Sequence, residues 1–194
     1  QPYTSGSTGR PKGVLLDHGG QIWNADVLRK AILCDHRERG LVAVPLFHKN
    51  AMTGVVKPFL LAGGSIVILP GFDSVEVIRA IDRYQVTYLT GVPAMYKMIL
   101  AEKAMLARHD TRSLRYALVG SAEVPQELMA EFRAVFRGAE IAESYGLTEG
   151  GPVPITNTRW GLKKLGSCGT AFPGCQVKLV DITGCDVEGE GVGE

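Results

Sequence analysis

A chain of 194 residues with a formal net charge of +1 is long enough for one good core, one domain and part of another, and it offers no broad basic face for nucleic acid. Its hydrophobic content of 45% is ordinary for a globular protein, and its longest apolar runs fall far short of a bilayer span. The four cysteines, Cys34, Cys168, Cys175 and Cys185, make no C-x-x-C pair and no metal-type spacing with histidine, and no secretory leader is read before the first motif. They read as reduced structural thiols of a cytoplasmic protein.

The first motif is YTSGSTGRPKGV, from Tyr3 to Val14. Small residues let backbone N–H groups close around phosphate oxygens, hydroxyls add donors, and Lys12 supplies a point charge. A Walker loop is excluded, because that motif needs Gly-Lys ahead of a helix and the chain holds no Gly-Lys pair. Here Lys12 follows a proline and leads into Val14-Leu15-Leu16, so the stretch reads as a loop between two strands. An ordinary glycine-serine surface hairpin is the competing reading.

Beyond it, Ile22, Ala25, Leu28 and Ile32 fall at helical spacing and predict a helix over 21–33. Strands are predicted at 41–44, 66–69, 86–89, 116–119 and 140–143. Between them, Asp73 with Glu76 caps a helix to about Tyr84, and Pro93 opens a helix reaching Met105. Pro125 starts another helix, with Leu128, Phe132, Val135 and Phe136 on one face. Alternation of this kind indicates an α/β fold, a mainly parallel sheet flanked by helices, whose ligands gather beyond the carboxyl ends of the strands. Two glycine-rich segments lie there, Gly120-Ser121-Ala122 and Ser144 to Gly151. From residue 161 the rhythm changes to glycines and short β runs such as 177–180, the start of a small antiparallel β subdomain after a unit spanning 1–160. With Gln1 at one end and a fresh strand signal before Glu194 at the other, the chain reads as a piece of a longer protein. His18, His36 and His109 read as surface residues.

Four motifs in register carry a resemblance: S-G-S-T-G-x-P-K-G, then Pro45-Leu46-Phe47-His48, then Gly120-Ser121-Ala122, then Tyr145-Gly146-Leu147-Thr148-Glu149. Together they resemble the adenylate-forming superfamily, whose members include acyl-CoA synthetases, luciferases and the adenylation domains of peptide synthetases. The resemblance implies that a carboxylic acid attacks the α-phosphate of ATP, releasing pyrophosphate, and that coenzyme A then takes the acyl group. It also implies roles. Thr4, Ser5, Gly6, Ser7, Thr8 and Gly9, with Lys12, would hold the departing phosphates. Tyr145 would lie against adenine, with Gly120, Ser121 and Ala122 on its other side and Ser144, Gly146 and Leu147 completing the nucleotide site. Thr148 would donate to the α-phosphate, and Glu149 would bind Mg²⁺ together with Ser5. Lys12, Thr148 and Glu149 are thus the expected catalytic residues.

His48 stands where peptide-synthetase domains resemble one another in carrying an aspartate for the substrate's ammonium; histidine offers no stable negative charge. The implied substrate is therefore a plain carboxylic acid, as in acyl-CoA synthetases and fatty-acid metabolism, with His48, Gly91 and Val92 and the helix after Pro93 lining the acyl entrance. Gly20, Ser121 and Cys168 depart from the residues usual in the family. The family's ribose-binding aspartate and C-terminal lysine have no counterpart before Glu194. The piece alone is accordingly expected to be inactive. A nucleotide-binding module without turnover and a peptide-synthetase-type domain stay as alternatives, and the oligomeric state is not readable.

Overall fold

The structure is a computed structural model that describes residues 1–4, 9–151, 153–161, 163–164 and 166–187. It begins with a hairpin. Strand β1 (Tyr3–Thr4) pairs antiparallel with β2 (Lys12–Gly13), Tyr3 opposite Gly13 and Thr4 opposite Lys12. Ser5, Gly6, Ser7 and Thr8, which join them, lie outside the described residues. Two strands do flank the loop, but the second is Lys12–Gly13 and not the expected run Val14-Leu15-Leu16, of which only the Val14 amide continues the pairing, donating to Pro2 O at 2.8 Å.

Helix α1 (His18–Ala31) begins three residues before its sequence-based start, because the Asp17 carboxylate caps it by accepting from the Gly20 amide at 2.7 Å. The chain leaves the helix through Leu33 at a φ of 52°. Ile22, expected inside, is 61% exposed, whereas Ala25, Leu28 and Ile32 are buried. Next come β3 (Arg39–Val42), α2 (Lys49–Ala51), a π-helical turn (Met52–Val56) and α3 (Lys57–Leu61). This helical stretch has no counterpart in the sequence-based elements.

The remaining elements alternate. They are β4 (Ser65–Ile68), α4 (Ser74–Tyr84), β5 (Tyr88–Gly91), α5 (Pro93–Ala101), α6 (Lys103–Leu106), β6 (Tyr116–Gly120), α7 (Gln126–Val135) and β7 (Glu140–Tyr145). Asp73 caps α4 as expected, accepting from the Glu76 amide at 3.0 Å. The helix expected to reach Met105 breaks at Glu102, whose carboxylate accepts from the Ser74 hydroxyl at 2.8 Å. The sheet order is β4-β3-β5-β6-β7-β8-β9. The first five strands are parallel; β8 (Ile155–Thr156) and β9 (Thr170–Ala171) add antiparallel at the β7 edge. The antiparallel strands expected after residue 161 thus start earlier and extend the same sheet, while 177–180 makes only an isolated bridge, Val180 to Asp186.

Helices cover both faces, as a parallel sheet requires, and the period of two sorts the side chains. Leu41, Leu89, Ala117 and Val119 face Ile78, Ile81, Tyr96, Ile99 and Phe132 of α4, α5 and α7. Val42, Tyr88, Tyr116 and Leu118 face Leu28, Val55 and Phe59 on the other side. Phe59 packs on Tyr88 with ring centroids 5.1 Å apart, and Tyr96 meets Phe132 edge-on at 5.7 Å. Each such buried ring contributes about 1.5–3 kcal/mol. Val135, expected on this face, is 38% exposed; Met129 is buried in the core instead. His109, expected at the surface, is half-buried, its Nδ1 2.8 Å from Asp82 Oδ2. Among the described residues no helix is long and apolar enough to cross a membrane.

Candidate functional site

Parallel strands end together, so their carboxyl ends share one rim. Gly120 closes β6 directly opposite Ser144 of β7. A β-carbon on Gly120 would lie 2.5 Å from Ser144 O, so only glycine lets the two strand ends approach this closely. The turn that follows puts Ser121 at a φ of 65°, a left-handed conformation at ease in glycine and strained in serine.

Two cavities open on this rim. The larger, about 860 Å³, lies between the start of α7 and the end of β7 and is lined by Ser121, Ala122, Ser144, Tyr145, Gly146 and Cys168 among others. Tyr145 is 51% exposed beside the cavity it lines. The smaller, about 250 Å³, shares Ser121, Ser144 and Gly146 with it and adds His48, Leu147 and Thr148. His48 is held there as the cap of α2, its Nδ1 accepting from the Asn50 amide at 3.1 Å.

The hairpin reaches the same rim from the other end of the sequence. Thr4 Oγ1 donates to Glu149 Oε1 at 3.4 Å across 145 positions of sequence. Directly opposed residues of an antiparallel pair point the same way, so Lys12 stands on the hairpin face that Thr4 presents to Glu149. Thr4 and Glu149 are brought together, Lys12 stands opposite Thr4 on the hairpin, and Thr148 lines the smaller cavity; Gly9 lies exposed at a φ of 78°. Gly91 and Val92 line neither cavity. Gly91 is covered by Met95 and Tyr96, and its neighbour Thr90 lines the smaller cavity instead.

Over this geometry, the family model for AMP-binding enzymes matches residues 2–194. The chain belongs to the AMP-binding enzyme family. It is 40% identical over 184 residues to a feruloyl-CoA synthase of Amycolatopsis sp, covering 94% of this chain and 37% of that protein. It is 35% identical over 173 residues to a long-chain-fatty-acid–CoA ligase of Bacillus subtilis (strain 168), covering 88% and 30%. Among solved structures, an anthranilate CoA ligase in complex with anthranoyl-AMP superposes with a TM-score of 0.87 at 27% identity, covering 99% of this chain and 37% of that one. An o-succinylbenzoate coenzyme A synthetase from Bacillus subtilis, in complex with ATP and magnesium ion, gives 0.83 at 29% identity, covering 100% and 39%. The chain spans 30–37% of the length of these two curated relatives.

In this AMP-binding chain, four residues enter the site unannounced by the motifs. Glu143 lines the larger cavity two positions before Tyr145; burial raises its carboxyl above the usual range, and its Oε1 is buried without a partner. The strand alternation that places 143 and 145 on one face is the signal that could have found it. Asn50, Gly54 and Thr90 line the smaller cavity. They come from the helical stretch that the sequence reading left blank and from the end of β5. As to magnesium, the hydroxyl of Thr4 and the carboxylate of Glu149 are oxygen donors suited to a hard cation.

Proposed function

We propose that the parent protein is an AMP-forming acyl-CoA ligase and that this chain is part of its ATP-binding portion. The observation that carries this reading is the meeting of Thr4 with Glu149 beside two cavities that share Ser121, Ser144 and Gly146. The larger cavity takes the nucleotide, Tyr145 offering its ring face to adenine. The smaller takes a carboxylic acid, whose carboxylate arrives past His48 and meets the α-phosphate at Thr148. Lys12 and the 4–9 loop, Ser5 to Thr8 included, hold the phosphates that depart as pyrophosphate. A donor of this kind, aimed where charge develops, is worth roughly 10²-fold or more in rate.

Magnesium held by Glu149 and Ser5 would supply neutralising charge to the phosphates. The chain's own residues orient the nucleotide, fix the threonine donor and bound the acid. Coenzyme A then accepts the acyl group. The relatives include ligases for aromatic and for fatty acids, which supports an acid–thiol ligase without fixing the acid. A cytoplasmic location fits the reduced-thiol reading, and this chain alone, spanning 37% of such a relative, forms no thioester. The test is to incubate the full-length protein with ATP, Mg²⁺, coenzyme A and a panel of aromatic and aliphatic acids. One AMP per thioester supports the reading. ADP and phosphate, or no acid-dependent product, would defeat it.

A further inference from the structure

The smaller cavity holds a polar corner that the ligase chemistry does not use. The π-helical turn Met52–Val56 brings Gly54 to its wall, opposite the end of β5. Glycine leaves a side-chain-sized space there. An atom placed where the β-carbon of residue 54 would be lies 3.5 Å from Thr90 Oγ1 and 3.7 Å from Asn50 Oδ1. Thr90 is 2% exposed, and Asn50 Oδ1 is buried with no hydrogen-bond partner. The neighbouring wall is apolar, from Leu28, Leu118 and Val153. A buried acceptor among apolar groups, without a donor, is costly unless something arrives to donate to it.

We infer that the acid accepted by this site carries a hydroxyl group besides its carboxyl, seated beside Gly54 between Asn50 and Thr90. The inference rests on the ligase reading above and names the substrate class of that same cavity. A hydroxyl both donates and accepts, so it donates to Asn50 Oδ1 and accepts from the Thr90 hydroxyl. An ammonium would meet the charge of Lys49, which lines the same cavity.

The experiment measures acid-dependent ATP–pyrophosphate exchange by the full-length protein. The probes are matched pairs of small aromatic and aliphatic acids that differ by one hydroxyl, its position varied across the series. The expected result is at least a tenfold higher kcat/KM for one hydroxy acid over its unsubstituted partner. A site built to bond a substrate hydroxyl discriminates far more strongly than a methylene-sized fit does. Asn50→Leu and Gly54→Ala should each bring that ratio to within about threefold of one. Gly54→Ala guards against misfolding, since the added methyl meets its nearest neighbour, Thr90 Cγ2, at an ordinary 3.4 Å. Exchange that proceeds equally with both members of every pair, or a preference that survives Gly54→Ala, overturns this inference alone. Exchange with no acid at all overturns the ligase reading and this inference with it.

Discussion

Gly120→Ala tests how tightly the rim is built. The added β-carbon would lie 2.5 Å from Ser144 O and 2.9 Å from Ser144 Oγ. Carbon and oxygen in close contact sit about 3.3 Å apart, so the ends of β6 and β7 must part by roughly 0.8 Å. The obstacle is backbone, which cannot rotate away as a side chain end can. Overpacking of this kind costs about 1–3 kcal/mol. The same displacement moves Ser121 and Ser144, which line both cavities, and a shift near 1 Å at such a distance from the chemistry can cost about 10²-fold. Urea denaturation of this chain reads the first effect, and pyrophosphate exchange by the full-length protein reads the second. Gly71→Ala is the control, because a β-carbon there meets nothing within 4 Å. If Gly120→Ala matches that control within about 0.5 kcal/mol and exchanges normally, the rim is not close-packed and the reasoning fails.

Ser121→Gly removes the strain of a serine at a φ of 65° and should stabilise the chain by up to about 1 kcal/mol, read as a higher urea midpoint. Burial and the nearby Glu38 and Asp35 charges push the Cys34 thiol up to about 12, so a thiol reagent at neutral pH should label exposed Cys185 readily and reach Cys34 only on unfolding. Cys168 lines the larger cavity, and ATP should slow its labelling in the full-length protein; unaltered labelling at saturating ATP would place the nucleotide elsewhere. Burial raises the Glu143 carboxyl above its ordinary 4.5, so the native state binds that proton more tightly than the unfolded chain does. The stability this contributes is full below the ordinary value and is lost as pH rises through the raised one. Glu143→Gln should therefore match the parent chain near about pH 4 and exceed it near about pH 8, by urea midpoint.

The parallel core was legible because strands such as 41–44, 66–69 and 116–119 are short apolar runs stopped by Pro45, Pro70 and Gly120. Its exact edges were not, since pairing partners set them. Strand β3 starts at Arg39, whose amide donates to Thr87 Oγ1 at 2.8 Å, a contact 48 positions away that no local pattern records. Residues 49–61 stayed unread because Gly54 and Pro58 interrupt the helical period and the π turn shifts it by a residue. Val135 and Ile22 fit helical spacing yet lie outside the core, because the neighbour across the sheet decides which edge of an apolar stripe is covered. The rim motifs were visible as glycine and hydroxyl clusters. Their meeting, Thr4 against Glu149, is a product of the fold. Asn50 and Thr90 carry no local signature, since a polar residue on a cavity wall looks in sequence like any other on a helix or strand.

Under the proposed function, Glu149, held beside Thr4, serves the phosphates of ATP through magnesium and takes no part in recognising the acid. The most direct measurement is acid-dependent ATP–pyrophosphate exchange by the full-length protein and its Glu149→Gln variant, titrated with Mg²⁺. The variant should lose about 10²-fold in rate, recover in part as Mg²⁺ is raised, and keep the acid's KM nearly unchanged. A variant that exchanges normally at low Mg²⁺, or whose only defect is a raised KM for the acid, would contradict it.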